Sequence, residues 1–287
     1  TASKFNLHMS TSPDPLLRDN LHGWNTLAPI HARGSGSPFY RIEEFVAGEC
    51  KLGPWEIEEV GPVVGKSLLH LQCHIGTDTL SWARRGAEVT GLDFSATAID
   101  EARTLAKRID IGARFLVGTV EDASQVLAGE QFDILYTGRG AVCWLPDLTT
   151  WARECAALTK PDGIFYMEET HPALDLVNPI DGPDGPVLVP HYDPFSKAPV
   201  SETSEGTYAD RSAPTGPLTM HCWDHGLGEI LNALTTAGFV FVHLHERDEA
   251  FFEPFPDIFE PSRTNYWKLK PNLPRIPLSY TLKMQRR

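Results

Sequence analysis

The residues Gln72-Cys73-His74-Ile75-Gly76 and Asp93 are spaced to hold a nucleoside. They lie in the stretch KSLLHLQCHIGTDTLSWARRGAEVTGLDF, residues 66–94. An apolar run enters the tight segment, a helix-like stretch follows, and a second apolar run from Ala87 to Leu92 ends in Asp93. Amides at such a turn approach a ligand closely where side chains are small, as at Gly76. A carboxylate at the tip of the second strand can accept hydrogen bonds from both ribose hydroxyls. Plainer roles stand beside these. Gly76 also suits a simple tight turn. Asp93 also suits an acid at the start of the next helix, a placement that stabilises by about 0.3–1 kcal/mol.

Two further clusters carry chemistry. In Glu169-Thr170-His171-Pro172, side chains alternate along a strand end, so Glu169 and His171 share one side. His171 is the expected general base, with Glu169 as the other candidate, because imidazole titrates near neutral pH. A histidine that hydrogen-bonds a loop is the bland alternative. His221-Cys222-Trp223-Asp224-His225 looks like metal-ligand material, but the run begins a helix that Asp224 is suited to cap, and no metal is expected. Trp223 and His225 are expected to cover a substrate pocket instead. His243 and His245 read as surface or packing residues.

The elements that must position these groups follow an alternating pattern. Strands are predicted at 67–72, 87–92, 114–118, 132–136 and 164–169, and helices at 77–85, 96–109 and 147–158. Ser95 suits the N-cap of the 96–109 helix, whose Ile99, Ala102, Ala106 and Ile109 form one apolar face. Short apolar strands alternating with helices predict a doubly wound, mostly parallel sheet with helices on both faces, the Rossmann-like arrangement. Before it, residues 1–60 read as an irregular opening with Pro13, Pro15, Pro29 and a turn-rich 33–38, then helices at 40–47 and 55–60. Residues 172–222, rich in Pro, Gly, Ser, Thr and Asp, read as an irregular inserted lid. A helix at 226–237 and strands at 239–245 and 277–284 complete the sheet. The domain division is therefore a helical cap (1–60), a core (61–171), a lid (172–222) and a C-terminal completion of the core (223–287).

Composition narrows the partners. Thirty-eight acids against 25 bases give a formal net charge of −13, and the basic pairs Arg84-Arg85 and Arg286-Arg287 make no phosphate-binding stripe. Nucleic acid and anionic membranes are disfavoured, and no apolar run reaches the roughly 20 residues of a membrane span. The opening TASKFNLHMSTSPDP shows no charged segment before an apolar core, so no secretory signal is expected. Five scattered cysteines without a C-x-x-C pair fit the reducing cytoplasm.

Residues 64–171 resemble the class I S-adenosylmethionine (SAM) dependent methyltransferases. Motif I of that family runs acid, Leu, Gly, small, Gly, x, Gly, and the aligned run here is His70-Leu71-Gln72-Cys73-His74-Ile75-Gly76, keeping the last glycine alone. A branch of bacterial small-molecule methyltransferases carries the same LHLQCH-x-G run followed by GLDFS. The resemblance implies SAM as cofactor and S-adenosylhomocysteine (SAH) as product. It implies Gln72, Cys73, His74, Gly76, Asp93 and Phe94 as cofactor contacts, Glu121 and Asp122 near the adenine, and Thr137 and Gly138 at the methionine end. It implies Trp24, Tyr40, Glu44, Trp144 and Tyr192 as substrate contacts beside Trp223 and His225 named above, and a small molecule methylated on O, N or C. A nicotinamide-dependent oxidoreductase and a non-catalytic SAM-binding regulator are the alternatives. The first needs the G-x-G-x-x-G pattern, which Gln72 and His74 interrupt.

Overall fold

The computed structural model describes residues 14–33, 39–183, 185–264 and 266–287. Pro13 and the opening before it, and residues 34–38 of the turn-rich segment, lie outside the described residues. Three helices come first: α1 (Pro15–Arg33), α2 (Ile42–Val46) and α3 (Pro54–Val60). The alternating core follows as β1 (Ser67–Leu71), α4 (Thr77–Arg84), β2 (Glu88–Asp93), α5 (Ala96–Arg108), β3 (Arg114–Val117), α6 (Ala123–Val126), β4 (Phe132–Gly138), α7 (Leu148–Leu158) and β5 (Thr159–Thr170). Beyond α8 (Pro172–Asp175), β6 (Val177–Gly182) pairs with β7 (Gly185–Pro190), and β8 (Val200–Ser204) with β9 (Leu218–Cys222), both antiparallel. Then come α9 (Leu227–Thr236), β10 (Phe239–Arg247), the small antiparallel pair β11 (Phe259–Pro261) and β12 (Trp267–Leu269), and β13 (Ser279–Arg286).

The main sheet has seven strands in the order β10-β13-β5-β4-β1-β2-β3. Strands β1 to β5 are parallel, and β13 runs antiparallel between β5 and β10. The chain winds outward from β1 in one direction and then returns to its other side at β4. The carboxyl ends of β1 and β4 therefore open a crevice, where doubly wound sheets bind ligands.

Alternation along the strands explains the burial. Leu69 and Leu71 of β1 join Leu135, Trp151 and Phe165 on one face, while Leu68 joins Trp82, Val89 and Tyr136 on the other. Each fully buried side chain of this size stabilises by about 1.5–3 kcal/mol. Ser95 caps α5 as its sequence predicts, accepting a hydrogen bond from the Ala98 amide.

The structure corrects the reading of both flanks. The irregular opening predicted before residue 40 contains α1, nineteen residues long with Pro29 inside it. Pro15 starts the helix where no amide partner is needed. Burial of Asn20, Leu27, Ala28 and His31 outweighs the hydrogen bond that Pro29 removes. The 172–222 segment, predicted irregular, holds four strands; exposed residues dominate β8, so no clean apolar alternation announces it. Gly226, not Asp224, occupies the N-cap of α9.

α1 is fastened to β9 by a two-bond clamp. The Asn20 side-chain amide donates to the His221 carbonyl at 2.8 Å, and its oxygen accepts from the His221 amide at 2.8 Å. Asn20→Ala strands two buried backbone groups, each costing about 1–3 kcal/mol when unpaired. Urea denaturation of that variant is expected to show a lowered midpoint, with hydrogen exchange fastest in α1 and β9.

Candidate functional site

A cavity of about 880 Å³ opens at the carboxyl ends of β1, β2 and β4. Its floor is the segment between β1 and α4. Gln72 and His74 both adopt left-handed backbone, with φ of 57° and 49°, and Gly76 follows at 78°. L-residues other than glycine occupy this region at a cost of about 1–3 kcal/mol. Side-chain bonds hold both residues there. Gln72 Nε2 donates to the Ala141 carbonyl at 2.8 Å, tying the β1 loop to the β4 loop. His74 Nε2 pairs with His31 Nδ1 at 2.8 Å, and His31 Nε2 pairs with Thr207 Oγ1 at 2.9 Å. Burial pushes the His31 imidazole down to about 3 and lowers His74 well below the ordinary value, so this chain runs between neutral rings.

Asp93 ends β2 as a buried carboxylate. Its two oxygens accept from the His74 amide at 2.9 Å and the Ser95 amide at 2.8 Å. Burial pushes its carboxyl up to about 6, and those two amides oppose the shift. Each oxygen keeps further acceptor capacity, and Asp93 lines the cavity.

An aromatic wall rises from the N-terminal helices and the later loops. Trp24 meets His74 and Trp144 edge-on, with ring centroids 5.1 and 5.2 Å apart. Tyr40 and Tyr208 share a hydrogen bond between their hydroxyls at 2.5 Å. Phe251, Phe252, Tyr266 and Trp267 add apolar surface from the segment between β10 and β13.

Arg139 projects into the site from left-handed backbone just past β4. Its guanidinium lies 2.5 Å from Glu56 and 3.0 Å from Glu168, both fully buried. Trp55 Nε1 and the Tyr266 hydroxyl also donate to Glu168, at 2.8 and 3.0 Å. Two carboxyls share one guanidinium. Burial, then repulsion from Glu56, raises Glu168 above the usual carboxyl range.

The expected site residues separate into two groups. Gln72, Cys73, His74, Asp93, Phe94, Glu121, Asp122, Gly138, Trp24, Tyr40 and Trp144 all line this cavity. Gly76 and Thr137 sit behind its wall: Gly76 begins α4, and Thr137 is fully buried on β4. The expected catalytic pair is turned to structural work. Glu169 Oε2 accepts from the Ala141 and Val142 amides, each at 2.9 Å, and braces the β4 loop. His171 Nδ1 caps α8 by accepting from the Ala173 amide, while its Nε2 pairs with Glu246 at 2.9 Å. Both imidazole nitrogens are thus engaged away from the cavity wall. Glu44 is exposed beside Arg41, and the Tyr192 hydroxyl donates to Glu202. Trp223 donates its amide to the Cys143 carbonyl, and His225 pairs with the Leu145 carbonyl, so both support the β4 loop from behind.

Sequence reasoning missed His31, Tyr208, Asp175 and the aromatic segment at 251–267. Only the fold brings His31 onto His74 and the others to the wall of the same cavity. The aromatic-rich run Phe251-Phe252-Glu253-Pro254-Phe255 is the one local signal that marks an unassigned wall.

Residues 69–167 match the family model described as "Methyltransferase domain". A ubiquinone biosynthesis O-methyltransferase of Erwinia tasmaniensis is 33% identical over 113 residues, covering 39% of this chain and 46% of the relative. The namesake of Escherichia fergusonii is 32% identical over 134 residues, covering 47% and 52%. The chain thus spans about half the length of the curated relatives it matches. Among solved structures, an S-adenosylmethionine-dependent methyltransferase from Mesorhizobium loti superposes with a TM-score of 0.57 at 20% identity, covering 84% of this chain and all of that one. One from Clostridium acetobutylicum gives 0.56 at 12% identity, covering 92% and 99%. At such identities these two bear on the fold alone, and they share it.

Removing the shared cation strands both carboxyls. Arg139→Met is expected to destabilise by about 3–5 kcal/mol, the usual loss when one partner leaves a buried pair. The raised Glu168 value means the folded state holds a proton that the unfolded chain releases at its ordinary value. Stability from that proton is therefore lost as pH rises from the ordinary carboxyl range through the raised value. Chemical denaturation should accordingly show a larger loss for Arg139→Met at pH 8 than at pH 6.

Proposed function

We propose that the chain, whose residues 69–167 match the methyltransferase-domain model, is a class I SAM-dependent methyltransferase that transfers a methyl group from SAM to an oxygen, nitrogen or carbon atom of a small molecule. The observation that carries this reading is Asp93, a buried carboxylate oriented by two amides at the edge of the cavity, with Phe94 beside it. A second observation is an orphan acceptor. Gln72 Oε1 is buried without a hydrogen-bond partner, while the same side chain's nitrogen is spent on Ala141. An acceptor in that place suits the ammonium group of the cofactor's methionine moiety.

When bound, SAM supplies an activated methyl on a positively charged sulfur. The protein's own part is to bind, orient and exclude water. Asp93 holds the ribose, Glu121 and Asp122 lie after β3 on the adenine side, and Gln72 and His74 shape the floor. Trp24, Tyr40 and Trp144 enclose the acceptor. Orientation is the main catalytic device in such a displacement, because two bound reactants need only meet in line. Residues 207 and 208, tied to His31 and Tyr40, close the cavity from the 172–222 segment and restrict solvent.

The compact aromatic enclosure favours a small molecule over nucleic acid, in keeping with a net charge of −13. Gln72 and His74 stand where a dinucleotide pattern requires glycine, which argues against the nicotinamide alternative. Among the described residues no helix is long and apolar enough to cross a membrane. Five free cysteines fit a reducing cytoplasm.

Asp93→Ala tests the ribose assignment. Hydrogen bonds to a charged group contribute about 1.5–3 kcal/mol each, so calorimetry is expected to show SAM affinity reduced roughly tenfold or more. Unchanged affinity would remove Asp93 from the site. Thermal shifts with SAM, SAH and NAD check the cofactor class: SAM and SAH should stabilise the protein and NAD should not.

A further inference from the structure

Both residues expected to serve as base are occupied elsewhere, yet the same edge of the sheet presents another carboxyl. Asp175 ends α8, the helix that His171 caps, and it lines the cavity together with Thr170. Its side chain is accessible there, although protein encloses it on most sides. Among the described residues it makes no hydrogen bond and no ion pair. Other acids of the cavity wall are held: Asp93 by two amides, Asp78 beside Arg139, Glu49 by Arg41 and Lys51, and Asp122 by the Thr119 hydroxyl. Glu121 is exposed after β3.

We propose that Asp175 accepts the proton of the methyl acceptor, and that the acceptor group is a phenolic hydroxyl. This rests on the methyl-transfer reading above. The groups around Asp175 are Asp224 before α9, Glu169 on β5, the Cys143 thiol and the Tyr280 phenol on β13. No cation is among them. Enclosure, then repulsion from Asp224 and Glu169, pushes the Asp175 carboxyl up to about 8. A base with that value lies within about two units of a phenol, whose ordinary value is about 10, whereas an unperturbed carboxylate lies about six units below it. General bases work best with values near the working pH. A neutral amine needs no proton removed before it attacks and would leave such a carboxyl without a task. The walls formed by Trp24, Trp144, Phe251, Phe252 and Trp267 suit a flat ring that carries the hydroxyl.

The step balances. A lone pair on the hydroxyl oxygen forms the new bond to the methyl carbon, and the electron pair of the carbon–sulfur bond stays on sulfur. The O–H pair remains on oxygen, and the proton passes to an Asp175 oxygen and then to water. A positive sulfonium and a negative carboxylate disappear together, so the enclosed site gains no net charge.

The test uses the full chain with methyl-labelled SAM and two neutral aromatic probes, 4-methylcatechol and 4-methylaniline, from about pH 6 to about pH 9. Label is expected in the catechol oxygen, at a rate that rises with pH along an acid limb. Asp175→Asn is expected to lower kcat roughly hundredfold or more, to lose that limb, and to bind SAM by calorimetry as the parent does. Asp175→Glu should recover part of the rate. Carbon-13 spectra of the substrate-free protein give a second readout: one carboxyl signal, missing in Asp175→Asn, is expected to titrate near 8. A midpoint near the ordinary value of about 4, or an Asp175→Asn variant with the parent's rate and limb, would overturn the role of Asp175. Label in the amine alone, or in neither probe while SAM binds, would overturn the hydroxyl assignment. Failure of the parent protein to bind SAM would instead sink the methyl-transfer reading itself.

Discussion

The site depends on one strained turn. Between β1 and α4 the backbone is left-handed at Gln72, His74 and Gly76. At Gly76 packing leaves no choice, since an added Cβ would lie 2.8 Å from Phe115 and 3.0 Å from Ala102. At Gln72 and His74 side chains are present and employed. Each residue carries roughly 1–3 kcal/mol of backbone strain, and each side chain returns part of it through a hydrogen bond, a gain of about 0.5–1.5 kcal/mol. The Asp93 carboxylate adds a charge-assisted bond to the His74 amide. The buried carboxylate at the cavity edge therefore also fixes the loop beside it.

The remaining architecture extends this turn outward by polar ties. Gln72 reaches the β4 loop, and Glu169 holds the same loop from β5 through the Ala141 and Val142 amides. Trp223 and His225 support it from behind. Arg139 then connects this region to α3 and to the 248–276 segment through Glu56, Glu168 and Tyr266. Buried charges in such a network stabilise only while every partner is present. Its gain is placement: it fixes one wall of the cavity.

The parallel core was legible because its signals are local. Apolar strands of fixed period and the Ser95 cap mark the elements from the chain alone. The position of Asp93 at the end of β2 was legible for the same reason, since that strand is readable. α1 was not, because Pro29 opposes a helix that burial against β9 and α5 sustains. The partners of Glu169 and His171 were not legible because alternation along a strand fixes a side and not a partner. Whether a carboxylate faces a ligand or a row of amides depends on where the β4 loop returns. Asp175 stayed hidden for the converse reason: nothing near it in sequence distinguishes an unpartnered acid from a solvated one.

The chain from Thr207 through His31 to His74 joins three segments far apart in sequence. It has a consequence for how this sequence can change. Glycine at position 74 would relieve the left-handed backbone, yet it would leave buried His31 with an unmet nitrogen and loosen Thr207 above it. Loss of His31 would in turn leave His74 strained with no tie to offset the strain. Single substitutions at these positions are thus penalised by their neighbours, and the favourable routes change them in concert. Relatives of this chain should carry the set His31, His74 and Thr207 whole, or replace it together and restore the glycine.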